Sequence, residues 1–284
     1  MLQLFKRKNH SPREEMQAVL GDYELPSFPV IVLNALEKVR DEQASPTAIA
    51  EVVASDPGLT VQLLKTVNSA AYSLKHKVEN IDHAVSLLGR GELETILISV
   101  GVREVLPVVE IPGFDMQRFW CTAARRAATA RALADLIDPS RRSESYTAAL
   151  LQDMAIPVLA QRRPDDYGPL LERWHATDNA DLAELERAAF GWDHAMVAMW
   201  MCADWDFPER LIQAIGAHHG NGADGLAALP AVSLVALLRE SERNPGVQAL
   251  IDAAVSSHGL APEQLDELVT ASFEAAEDIA RMFA

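Results

Sequence analysis

The chain has 284 residues, 49% hydrophobic and 23% charged, an ordinary globular composition long enough for one large domain or two small ones. Its formal net charge of −16 disfavours nucleic-acid backbones and anionic membrane surfaces as partners. Two cysteines, Cys121 and Cys202, with no CxxC, argue against a disulfide framework or a structural zinc and for a reducing, cytoplasmic compartment.

Residues 1–24 read as a polar lead-in with a short helix around Glu14–Leu20. The basic cluster Lys6-Arg7-Lys8 has no apolar stretch after it and is not expected to be a signal peptide. No run of eighteen apolar residues exists, so no membrane span is expected. In Leu25-Pro26-Ser27-Phe28-Pro29 the two prolines enforce an extended turn, and a helix can begin after Pro29. Ser45-Pro46 and Asp56-Pro57 are two helix starts, each a capping side chain followed by proline at the first helical position. The second of these helices ends at Asn68-Ser69-Ala70-Ala71-Tyr72, where Asn and Ser can satisfy backbone groups. Asp82 is expected to cap a helix closed by Gly89, and a further helix runs from about Glu92 to Leu106 before Pro107. The pair of short helices around Asp56-Pro57 has the outline of a helix-turn-helix. Its second helix carries one cation, Lys65, which is too few for reading DNA.

Ile111-Pro112-Gly113 marks a boundary, followed by a long alanine-rich helix from Met116 to Ile137 whose outer face shows Arg118, Arg125, Arg126 and Arg131. The next helix, about Ser143 to Ala160, carries Gln152-Asp153 within an apolar run. Arg162–Asp166 reads as a solvated loop, and helices follow near Leu170–His175 and Ala180–Phe190. His194 opens an amphipathic helix. Another begins after Asp206-Phe207-Pro208 and runs into His218-His219, ahead of a loop at Gly220–Gly225. From Pro230 the chain is helical again, with breaks near Asn244-Pro245 and Gly259. Residues 226–284 hold nine acidic residues against three Arg. No sustained strand alternation is present, so the fold class is all-α.

Asp153 is the focus. A carboxylate inside an apolar helix needs a partner, and His194, His218 and His219 are the candidates. Trp120, Trp192, Trp200 and Trp205 are expected to pack the second half, and His10, His76, His83, His175 and His258 to lie at the surface.

The motifs taken together resemble the HDOD family, degenerate relatives of the HD phosphohydrolases. They are the 25–29 turn, Ser55-Asp56-Pro57-Gly58-Leu59-Thr60, Val67–Tyr72, Ala84–Gly89, Phe119-Trp120, Ala149–Asp153, Asp193-His194-Ala195 and Ala217-His218-His219. The resemblance implies a two-module helical architecture: an N-terminal module at 25–111, a degenerate HD-like module at 112–225 and an acidic helical region at 226–284. It places Thr122 at the first ligand position of the active relatives, Gln152 at the histidine of the His-Asp pair, and Ala236-Leu237 where a distal aspartate would stand. Asp153 alone keeps its type among those four. His194, His218 and His219 match second-metal positions.

Gln and Thr are poor ligands for a divalent transition metal, so the hydrolytic ion is not expected to bind. For the remaining four residues two arrangements are open: Asp153 accepts hydrogen bonds from the imidazoles and plugs the pocket, or the four hold one zinc-like ion. The plugged pocket without cofactor is the expectation, because neighbouring His218 and His219 would point about 100° apart on a helix. The implied function is a non-catalytic signal-transduction module that contacts protein partners in a bacterial regulatory system, with the pocket open to a small ligand. Residual metal-dependent phosphohydrolase activity on nucleotides or cyclic dinucleotides is the alternative.

Overall fold

A computed structural model describes residues 12–21, 25, 27–69, 76–177, 180–220, 229–240 and 245–283. Lys6-Arg7-Lys8, His10, Pro26, residues 70–72 and most of the 220–225 loop lie outside them. All regular structure among the described residues is helical. None of these helices is long and apolar enough to cross a membrane.

The N-terminal half contains α1 (Pro12–Leu20), α2 (Val30–Arg40), α3 (Pro46–Ala54), α4 (Pro57–Val67) and α5 (Ile81–Val105). The two proline-marked starts behave as expected: Ser45 Oγ accepts from Ala48 N at 3.1 Å and Asp56 Oδ1 from Leu59 N at 2.7 Å. Asn68 ends α4 as a clasp, donating to the Leu64 and Val78 carbonyls and accepting from Val78 N. Two details differ from expectation. The cap of α5 is Asn80, whose side chain accepts from His83 N at 2.8 Å, and Asp82 lies inside the first turn. Gly89, at φ 72°, kinks α5 without ending it.

The second half contains α6 (Met116–Ile137), a short 3₁₀ turn, α7 (Arg142–Leu151), α8 (Ala155–Arg162), α9 (Pro164–Ala176), α10 (Leu182–Phe190), α11 (His194–Asp204) and α12 (Glu209–Gly216). After these come α13 (Pro230–Val235), α14 (Val247–His258) and α15 (Pro262–Phe283). The single helix expected over Ser143–Ala160 is two helices, α7 and α8, broken by a turn at Gln152-Asp153-Met154. The expected loop at 162–166 shrinks to Arg163: Arg162 still belongs to α8, and α9 begins at Pro164, which sits at the first helical position, where its missing N–H costs nothing. α6 is the spine: α7, α13 and α15 all pack along it.

One hydrophobic core runs from α1–α5 through α6–α12, and a smaller one joins α6 to α13–α15. Trp120, Trp200 and Trp205 are buried in the first of these. Phe28, from the 25–29 turn, ties the halves together. Its ring lies 5.4 Å from that of Trp205 and meets Phe207 edge-on at 5.5 Å. Beneath it α5 has Gly101, and a Cβ there would land on the Phe28 ring. Gly101→Ala would gain about 1 kcal/mol of helix propensity. Overpacking costs about 1–3 kcal/mol and should win. The expected outcome is a lower urea midpoint with an unchanged m-value.

Candidate functional site

The break between α7 and α8 sets the site. Had the helix continued, Asp153 would sit on a regular helical face; in the turn it is delivered to the meeting point of α6, α11 and the end of α12. Asp153 and His218 are buried, as is His194. Asp153 Oδ1 is 3.4 Å from His194 Nε2 and 3.3 Å from His218 Nε2. His219 Nε2 lies 2.9 Å from His194 Nε2. The sequence reading placed His218 and His219 on a helix with diverging side chains. They in fact follow the end of α12, in a turn closed at Gly220 (φ 75°), and their ring centroids are 4.1 Å apart. Asp153, His194, His218 and His219 therefore present one donor atom each, all within 4.8 Å of one another. They border a cavity of about 270 Å³ whose far wall includes Trp174, Ala236 and Leu237.

Thr122 and Gln152 do not join them. Thr122 lines a neighbouring cavity with Arg118, Arg125 and Glu240. Gln152 is buried, and among the described residues neither polar atom of its side chain has a hydrogen-bond partner.

Two residues that the sequence reading missed complete the site. Arg126 was assigned to the outer face of α6, yet it is buried, and its Nη1 is paired with Asp153 Oδ2. Its Nε and Nη2 donate to the Leu238 carbonyl at 3.1 and 2.7 Å. Arg131, also assigned outward, is largely covered and pairs with buried Glu92 at 2.5 Å. The available signal was the spacing: Arg126 is one turn beyond Thr122 on the same face of α6. The second missed residue is Glu186 on α10. It lies in register with Leu182 and Phe190, four residues to either side, which put a carboxylate on an apolar stripe.

Glu186 is fully buried. Its Oε2 accepts from His194 N at 2.9 Å and from His194 Nδ1 at 2.6 Å, while Tyr167 donates its hydroxyl to Oε1. Asp193, held by Arg187 at 2.5 Å, caps α11 by accepting from Met196 N at 3.0 Å. His194 is thus fixed in both position and tautomer, with Nδ1–H on Glu186. His218 is fixed in the same way, with Nδ1 2.6 Å from the Ile215 carbonyl.

The electrostatics follow from burial and pairing. Burial alone would raise the Asp153 carboxyl, but the Arg126 guanidinium and the His194 and His218 imidazoles outweigh it and hold it well below the usual range. Burial would depress His194, yet the Glu186 and Asp153 carboxylates lift it to about 10. His219 is pushed well below the usual imidazole range by burial and by His218 and His194 beside it. In the neighbouring cavity burial lifts Glu240 to about 8, against the pull of Arg126 and Arg118. His175, expected at the surface, is half-buried 3.9 Å from Glu240, and burial and Arg118 lower its pKa.

The model of the HDOD domain matches residues 25–221, well over half of the chain. The chain belongs to the HDOD family. This HDOD protein is 26% identical over 197 residues to an uncharacterised protein of Treponema pallidum (strain Nichols); the match takes in 69% of this chain and spans about 38% of that relative's length. Its fold is shared with solved structures. A proposed phosphohydrolase from Shewanella amazonensis SB2B superposes with a TM-score of 0.74 at 21% identity, covering 95% of this chain and 98% of that one. An HDOD domain protein of unknown function from Geobacter sulfurreducens gives 0.72 at 20%, covering 95% and 96%. A proposed signal transduction protein from Marinobacter aquaeolei VT8 gives 0.73 at 21%, covering 98% of this chain and 62% of that one.

Removing Arg126 from this HDOD protein strands a buried carboxylate. Arg126→Met should cost about 3–5 kcal/mol in chelator-treated protein, and adding Asp153→Asn should recover part of the loss in a urea-denaturation cycle. Glu240 gives a pH signature. Its folded pKa of about 8 exceeds the unfolded value of 4.5, so the folded state keeps a proton that the unfolded chain has released. Stability should therefore fall as pH rises from about 4.5 to 8. Glu240→Gln should remove that slope and be the more stable protein at pH 8, by on the order of 3 kcal/mol, with the gap closing near pH 5.

Proposed function

We propose that this HDOD protein is a non-hydrolytic signalling module that acts through contact with protein partners. The observation that carries this reading is the Arg126–Asp153 pair. Two-ion phosphohydrolysis needs a carboxylate shared between two cations, with a water held between them and made acidic. In this chain one oxygen of Asp153 faces two imidazoles, His194 and His218, and the other is taken by a guanidinium. The remaining positions for a first ion fit it no better. Thr122 faces another cavity, Gln152 is a neutral amide, and the wall at Ala236-Leu237 has no carboxylate. A fixed cation where the first ion would sit supplies charge but cannot bind and activate water.

Family membership and the fold shared with a proposed signal transduction protein support a signalling role. The net charge of −16 supports protein over nucleic-acid partners, and the two free cysteines support a reducing, cytoplasmic setting.

The test is turnover. Purified protein loaded in turn with manganese, iron(II) and zinc is incubated with cyclic dinucleotides, nucleoside phosphates and a chromogenic phosphodiester. Product should not exceed that of the Asp153→Ala variant. Turnover that Asp153→Ala abolishes would establish the phosphohydrolase alternative, for which the four convergent donors are the favouring observation.

A further inference from the structure

We propose that Asp153 Oδ1 and the Nε2 atoms of His194, His218 and His219 hold a single divalent transition-metal ion of the zinc class in a four-coordinate site. The proposal goes beyond the reading above and does not depend on it.

The argument starts from donors and acceptors. His194 uses Nδ1–H on Glu186 and His218 uses Nδ1–H on the Ile215 carbonyl, so in both rings Nε2 is the atom turned to the cluster; there it holds a proton or, once an ion displaces that proton, offers a lone pair. Asp153 Oδ1 is an acceptor. It stands 3.3 Å from His218 Nε2, yet among the described residues neither atom has a hydrogen-bond partner in this buried place. Two acceptors facing each other repel unless something positive lies between them. One proton shared by His194 and His219 across 2.9 Å satisfies that pair alone and leaves Asp153 Oδ1 and His218 Nε2 stranded.

Distances separate an ion from a water. With metal–ligand bonds of about 2.05 Å, donors 3.3 and 3.4 Å apart subtend about 107° and 112° at the ion, close to tetrahedral. The 2.9 Å pair subtends about 90° with the same bonds. A water within hydrogen-bond reach of both Asp153 Oδ1 and His218 Nε2 would see them at about 70°, narrower than its own H–O–H angle, so its two hydrogen bonds would be bent where an ion's bonds would not. The four donors lie within 4.8 Å of one another, so closing the tetrahedron shortens the widest edge by at most about 1.5 Å. His219, the least buried of the four, lies in the turn after α12 and borders the cavity.

The outer partners are those a metal site uses. A carboxylate on one histidine and a backbone carbonyl on another fix the tautomer and aim the free nitrogen. Arg126 on Asp153 Oδ2 leaves only Oδ1 for the ion. Four protein ligands leave no open position, as in a structural or regulatory site rather than a hydrolytic one.

The experiment uses the whole chain. Protein stripped by dialysis against a chelator is titrated near neutral pH with zinc and with cobalt(II). Bound metal is counted by mass spectrometry and cobalt geometry read from visible absorption. One ion per chain, intense tetrahedral cobalt bands and a raised melting temperature are expected. His218→Ala and His219→Ala should each weaken binding at least about tenfold. Glu186→Gln, which removes no ligand, should weaken it by about 10–100-fold. Exposed His83→Ala should change nothing.

Circular dichroism checks that each variant is folded, and His219→Ala decides the matter if the buried variants unfold. The proposal is overturned by folded protein that takes up no stoichiometric ion, by octahedral cobalt, or by affinity indifferent to His219→Ala. Those results would mean a water-filled pocket or adsorption to the acidic surface. One tetrahedral ion with phosphodiester turnover would confirm this inference and overturn the non-hydrolytic reading.

Discussion

A guanidinium and a carboxylate, both out of reach of water, sit at the centre of this protein. Neither is stable there alone. Stranding either charge costs several kcal/mol, so each makes the other's burial tolerable. The geometry around them follows from that constraint. The chain has to break between α7 and α8 for Asp153 to reach Arg126, and α6 has to present Arg126 inward among alanines small enough to let α7 approach. Once Oδ2 is committed to Arg126, only Oδ1 remains to face the histidines. The chemistry that a carboxylate shared between two ions would allow is then closed off.

Helix starts were legible in the sequence because their physics is local. Ser45-Pro46 and Asp56-Pro57 each bring a capping oxygen and a proline to adjacent positions, and nothing distant can change what they do. The span of α6 was readable for the same reason, from Met116 to the last residue before Asp138-Pro139. The convergence of Asp153 with three histidines followed from the cost of burying a charge together with the family's motif order. It failed for Thr122, which one turn of α6 directs into another cavity.

What escaped the sequence depends on distant partners. A lone arginine in a helix reads as solvated, and only the fold shows that Arg126 has Asp153 and the Leu238 carbonyl to satisfy it. Glu186 needed Tyr167 and His194 brought beside it. The break at Gln152-Asp153 does have a local signal: Pro157, in the first turn of α8, has no N–H for the Asp153 carbonyl four residues back, and its ring crowds that oxygen. Gly220 announced the turn that closes after the histidine doublet, but not the end of α12 at Gly216 ahead of it. Asp82 was expected to cap α5, and Asn80, the residue that leaves helical dihedrals, takes the role.

The Leu238 carbonyl adds a last point. It stands just beyond α13, on the path to α14 and α15, and it accepts two of the hydrogen bonds from the side chain that neutralises Asp153. The pocket's charge and the seating of the acidic tail therefore share one residue. This chain cannot regain a free carboxylate at its centre by losing Arg126 without also unfastening the segment that leads to its final helices.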